Sequence, residues 1–122
     1  MMGPFRVPVR VFSLADPAVG RELEMLVDTG ARQSIVPREV LEALRVPVDC
    51  RQKFHLGNGE PIDRDVGWVG FRFQGRNAYT LAVSGDSRDA TALGALTLQE
   101  LGLEVDPQER TRKPAVAWLL AV

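Results

Sequence analysis

Asp28, Thr29 and Gly30 end one apolar run and precede another, in LVDTGARQSIVP at residues 26–37. A carboxylate between two apolar strands loses hydration at a cost unless backbone donors hold it or a reaction uses it. Two readings are open. In the plainer one, Asp28 closes an Asx-turn on a nearby backbone N–H and Gly30 supplies the turn. In the other, Asp28 is half of a carboxylate pair. Two carboxylates close together do not readily both ionise, so one can take a proton from water while the other donates to a carbonyl oxygen. Amide hydrolysis needs that division of work, and the titrating protons then belong to the pair.

The remaining residue types narrow the choice. One histidine (His55) and one cysteine (Cys50) are too few for a His- or Cys-based zinc site. No G-x-S-x-G nucleophile is present, and neither a metal nor an organic cofactor is implied. Fifteen lysines and arginines against 16 acidic residues give a formal charge of −1, which excludes a broad basic footprint for nucleic acid or an anionic membrane. The longest apolar run, AVAWLLAV at 115–122, is too short to span a bilayer. The start, MMGPFRVPVR, does not read as a secretory leader. A single cysteine suits a reducing compartment, so a soluble cytoplasmic protein is expected. The 122 residues suit one domain over 1–122, able to bury a core without staples.

The elements that must position Asp28 are mostly strands. FRVPVRVF at 5–12 alternates, with Phe5, Val7, Val9 and Val11 on one side and Pro8 marking an edge or terminal strand. LADPAVG at 14–20 is a loop, and RELEMLVD at 21–28 alternates through Leu23, Met25 and Val27. SIVP at 34–37 is a short strand. PREVLEALRV then changes period, with Val40, Leu41 and Leu44 on one helical face and Pro37 in the first turn. GNGEP at 57–61 predicts a hairpin between QKFHL and IDRDVGWVGF. A second hairpin covers FRFQGRNAYTLAV at 71–83, and SGDSRDA at 84–90 is a loop. ALGALTLQELGLEVDP holds a short helix, with Thr97 as N-cap, Glu100 as its capping-box partner and Gly102 in the left-handed region after it. The last strand is AVAWLLAV. Many short strands and two short helices predict an all-β barrel or sandwich.

In order and spacing, LVDTGA, SIVP, LGNGEPI and LGALTLQELGLEVDP resemble the retropepsin-like aspartic proteases, in particular the small prokaryotic single-domain members, from about residue 5 to residue 107. The resemblance implies a closed β-barrel with one or two short helices, forming one half of a two-fold symmetric dimer. It implies an aspartic endopeptidase with Asp28 as the catalytic group. Thr29 would hydrogen-bond across the dimer, Gly30 would bring its N–H to the carboxylate, Ala31 would line the cleft, and Leu93 and Gly94 would brace the loop. Gly57, Asn58 and Gly59 would form the tip of a flap over an extended peptide or protein substrate. Val36, Val66 and Leu93 are possible pocket liners, Trp68 is read as a core residue with the cleft as its alternative, and His55 and Cys50 are read as structural or uninvolved. Only one Asp-Thr-Gly is present, so the second carboxylate would come from a second copy, in a homodimer.

The chain also departs from the family pattern. Arg32-Gln33 stand where viral members carry acidic residues, and Ser34 replaces a common threonine. Glu60, Asp63, Arg64 and Asp65 charge the flap, and Ala92 is smaller than the usual aliphatic residue. The alternative function is a catalytically weak or inactive dimeric module that binds or assembles peptides on the same fold. The final strand has two possible places, in an inter-subunit sheet with FRVPVRV or closing the barrel within one subunit.

Overall fold

The computed structural model describes residues 5–55, 59–105 and 119–121. In chain order the elements are β1 (Arg6–Phe12), β2 (Gly20–Val27), β3 (Ser34–Pro37), α1 (Arg38–Ala43), β4 (Cys50–His55), β5 (Pro61–Phe73) and β6 (Arg76–Gly85). They are followed by β7 (Ala92–Leu93), α2 (Ala95–Glu100), β8 (Leu103–Val105) and β9 (Leu119–Ala121). Among the described residues no helix is long and apolar enough to cross a membrane.

Seven strands form one sheet in the order β1-β2-β7-β3-β6-β5-β4. β1 also pairs with β5, Arg10–Phe12 against Gly70–Arg72, so the pairings return to β1. The alternation read from the N-terminus holds: Phe5, Val7, Val9 and Val11 are all buried, as are Met25 and Val27 of β2. Pro8 faces Glu24 of β2, and the β5 ladder does not reach it, so its missing donor falls on an unpaired edge. The β5–β6 hairpin closes in two residues, Gln74 (φ 48°) and Gly75 (φ 79°), with Phe73 opposite Arg76. Two successive positive φ values match the right-handed twist of the flanking strands. Glycine takes that conformation freely, and Gln74 is an unusual occupant.

β7 is two residues long, yet it sits between the strands that flank residues 28–33. It runs parallel to β2 (Leu26 with Ala92, Val27 with Leu93) and antiparallel to β3 (Ile35 with Ala92). α1 carries its apolar face, Val40, Leu41 and Leu44, into the core; Pro37 is its N-cap rather than a first-turn residue.

The capping box expected at Thr97 is not formed. α2 starts at Ala95 with Gly94 as N-cap, and Thr97 is inside the helix and fully buried. The helix starts three residues earlier than Thr97 as N-cap would allow because the carbonyls of Ala31 and Arg32 accept the N–H groups of Ala95 and Leu96, at 2.8 and 3.0 Å. The chain after Asp28 does the work of a cap. Gly102 follows the helix at φ 72°, as its position predicts. β9 pairs with β8, Leu103 opposite Ala121, in a two-stranded sheet, and it does not join the larger one.

Phe71 has no exposed surface and sits between β1 and β6, opposite Val11 and Ala78. Phe71→Ala should cost about 3–5 kcal/mol in urea unfolding at fixed protein concentration, and Phe71→Leu much less.

Candidate active site

Asp28 is the first residue past β2. Its N–H donates to the Leu93 carbonyl at 3.0 Å, carrying the β2–β7 ladder one step further. Its carbonyl accepts the Ala31 N–H at 3.2 Å. The Gly30 N–H donates to Oδ1 at 3.0 Å. The Asx-turn of the plainer reading is therefore present, and it leaves work for the other oxygen. Oδ2 accepts no hydrogen bond among the described residues, and the residue is half-buried. A side chain at Gly30 would begin 3.3 Å from Oδ1. Thr29 is exposed and makes no side-chain hydrogen bond among the described residues.

Behind this turn lies a buried brace that the sequence reading missed. Ser34 Oγ accepts the Gly94 N–H at 2.9 Å and lies 2.6 Å from Thr97 Oγ1, 63 residues away in the chain. Ser34 and Thr97 both have no exposed surface. Gly94 itself is dictated by close approach. A Cβ there would stand 2.5 Å from the Gln33 carbonyl carbon and 2.9 Å from the Ser34 nitrogen, both backbone atoms with little room to move. Leu93 is fully buried beside it. One signal was available: a serine opening an apolar strand and a threonine on the apolar face of a short helix are polar groups that burial obliges to find partners.

A cleft of about 720 Å³ opens next to the turn. Ala31 and Arg32 line it from the segment after Asp28, Ile35 from β3, Leu81 and Val83 from β6, and Phe54 and Ile62 from the β4–β5 hairpin. The liners suggested by sequence, Val36, Val66 and Leu93, are instead core residues with at most 1% exposure. Side chains alternate along β3, so Ile35 reaches the cleft while Val36 faces the core. Within the hairpin Phe54 pairs with Ile62 and His55 with Pro61. Gly59 is exposed at φ 85°, while Gly57 and Asn58 lie outside the described residues. Trp68, expected in the core, is instead 48% exposed, because Gly67 and Val69 on either side of it face inward. His55 and Cys50 are exposed. Among the described residues no three potential metal ligands gather.

Arg64 of β5 joins the hairpin to the segment before β7. Its Nη2 donates to Asp86 Oδ2 at 2.9 Å and its Nε to Asp89 Oδ2 at 3.1 Å. Asp89 Oδ2 also accepts the Asp86 N–H at 2.9 Å. The hydrogen bond to Asp89 holds the Arg64 guanidinium above its ordinary value. The Arg88 N–H, helped by the Arg64 and Arg88 charges, holds the Asp86 carboxyl below its own. In the sequence these aspartates read only as part of a loop.

A family model described as "Aspartyl protease" matches residues 7–84. No curated protein matches the chain. Among solved structures, the solution structure of the simian foamy virus (mac) protease is similar at a TM-score of 0.52 and 18% identity, over 88% of this chain and 99% of that one. The EIAV protease complexed with the inhibitor HBY-793 is similar at 0.55 and 23% identity, over 84% of this chain and 92% of that one. The chain has the fold of these retroviral proteases.

Two outcomes follow from the brace and the tether. Ser34→Ala should cost about 1–3 kcal/mol, because it strands the Gly94 N–H and the Thr97 hydroxyl. In a chemical-denaturation cycle with Thr97→Val, the double variant should lose less than the sum of the singles. The Asp86 carboxyl has a depressed folded value, so its contribution is complete above the ordinary carboxylate range and is lost as pH falls through the folded value. Protection of the β5 amides, corrected for intrinsic exchange, should therefore fall at the acid end in the wild type, and Arg64→Gln should weaken that dependence.

Proposed function

The chain belongs to the aspartyl protease family, and we propose that it is an aspartic endopeptidase whose water-activating dyad is Asp28 from each of two copies. The observation that carries this reading is the turn at Asp28. One carboxylate oxygen is held by the Gly30 N–H, the other accepts no hydrogen bond among the described residues, and a cleft lies alongside. The one described aspartate that lines the cleft, Asp89, is already engaged by Arg64. A second catalytic carboxylate then comes from a second chain, across a two-fold axis. The exposed Thr29 hydroxyl, with no partner among the described residues, suits a bond across that axis.

On this reading a peptide lies extended in the cleft with the β4–β5 hairpin as its flap. The return of the pairings from β1 to β5 supports a closed barrel in each subunit. The ionised Asp28 takes a proton from water as its oxygen attacks the scissile carbonyl carbon. The protonated Asp28 of the partner subunit donates to the carbonyl oxygen. The tetrahedral intermediate then collapses: the C–N bond breaks, the leaving nitrogen takes a proton, and one proton stays shared by the dyad. Ala31 lines the approach, and Leu93 and Gly94 keep the turn from shifting. A reducing cytoplasm suits the exposed Cys50 thiol.

Peptide-library cleavage read by mass spectrometry from acid to neutral pH tests the reading. Asp28→Asn should lower turnover by at least about 10²-fold. Excess Asp28→Asn chain mixed with wild type should suppress activity beyond simple dilution, because mixed dimers have one carboxylate. Full activity in a species that sediments as one 13.4 kDa chain would refute the shared dyad.

A further inference from the structure

Three of the cleft-lining residues carry charge: Arg32, Arg64 and Asp89. Two of them satisfy each other. Arg64 donates to Asp89 and to Asp86, and its side chain is only 15% exposed. Arg32 is different. Its backbone carbonyl is fixed by the Leu96 N–H at 3.0 Å, while its exposed guanidinium makes no ion pair or side-chain hydrogen bond among the described residues. Among the described residues the cleft therefore presents one uncompensated cation, four residues after Asp28, beside an apolar surface made by Ile35, Phe54, Ile62, Leu81 and Val83.

We propose that Arg32 determines substrate choice: the cleft selects an extended peptide with an Asp or Glu within two positions of a large aliphatic or aromatic side chain. The inference rests on the protease reading above and names its substrate class. In an extended chain, residues two apart fall on the same face about 7 Å from one another. An apolar side chain in the cleft thus leaves a neighbouring carboxylate within range of a long arginine side chain. A guanidinium takes a carboxylate through two parallel N–H bonds, which gives direction as well as charge. Arg64 cannot compete for that carboxylate while two aspartates hold it, and Asp89 does not repel it strongly while Arg64 neutralises it. A lysine at the same substrate position would meet like charge.

The test uses one peptide library with fixed apolar positions, in which the flanking positions carry Asp, Glu, Asn, Gln or Lys. It is read as cleavage by wild type and as retention on immobilised Asp28→Asn chain. Wild type should favour Asp and Glu over Asn and Gln by about three- to tenfold in kcat/KM, mainly through KM, and less so in high salt. Arg32→Gln should abolish the preference and Arg32→Glu should turn it toward Lys, a reversal that a merely structural role would not produce. Cleavage without an acidic preference, or a preference that survives in Arg32→Gln, overturns the inference and leaves the protease reading standing. Acidic peptides retained through Arg32 but never cut support the recognition and overturn the protease reading. Neither retention nor cleavage overturns both.

Discussion

The contact on which the site depends is the approach of the Gly94 backbone to Gln33 and Ser34. It brings the chain beyond β7 against the chain beyond Asp28 so closely that no side chain fits between them. Two polar links hold it there, the Gly94 N–H to Ser34 Oγ and the Ser34–Thr97 hydroxyl pair. Both are buried, where an unmade hydrogen bond costs more than a made one contributes. The arrangement is therefore close to all-or-none. Any shift of β7 would break the Asp28–Leu93 bond, strand a hydroxyl and drive backbone into backbone together.

The same contact explains how a two-residue strand and a six-residue helix persist. Neither length would be stable alone. β7 survives because it is paired on both sides, by β2 and β3. α2 survives because carbonyls of residues 31 and 32 receive its first free N–H groups and because Leu98 and Leu101 are buried. The turn at Asp28 and the helix behind it thus stabilise each other.

Much of this was legible in the sequence, for identifiable reasons. Period-two alternation placed Phe5, Val7, Val9 and Val11 on the core face, and the abrupt stop at Asp28 marked the end of β2. Gly102 announced the end of α2. What stayed hidden depends on partners distant in the chain. Thr97 has the spacing of an N-cap with Glu100, but burial against Ser34 outweighs that local preference. Asp86 and Asp89 look like solvated loop residues until Arg64, more than twenty positions away, is folded against them. The pocket liners were misjudged for a third reason. Val36 is apolar and close to the motif in sequence, but only register decides which apolar residue of a strand faces a cleft, and Ile35 has that place. Gln74 adopts a backbone conformation that its side chain gives no cause to expect.

On the proposed reading, a chain that carries one such aspartate makes its chemistry conditional on assembly. The turn can be fully formed in a single copy, since every hydrogen bond that shapes it comes from residues 28–34 and 93–97 of that copy. On that reading the described residues of one copy bring no second carboxylate near enough to share a proton, and so no acid to polarise the carbonyl. On the proposed reading, folding prepares the site and association completes it. Activity below the dimer dissociation constant would then fall with the square of chain concentration, whereas a binding function resident in one cleft would fall only linearly. The preformed turn also means that association need order little backbone at the catalytic loop, so more of the interface energy is left to hold the two copies together.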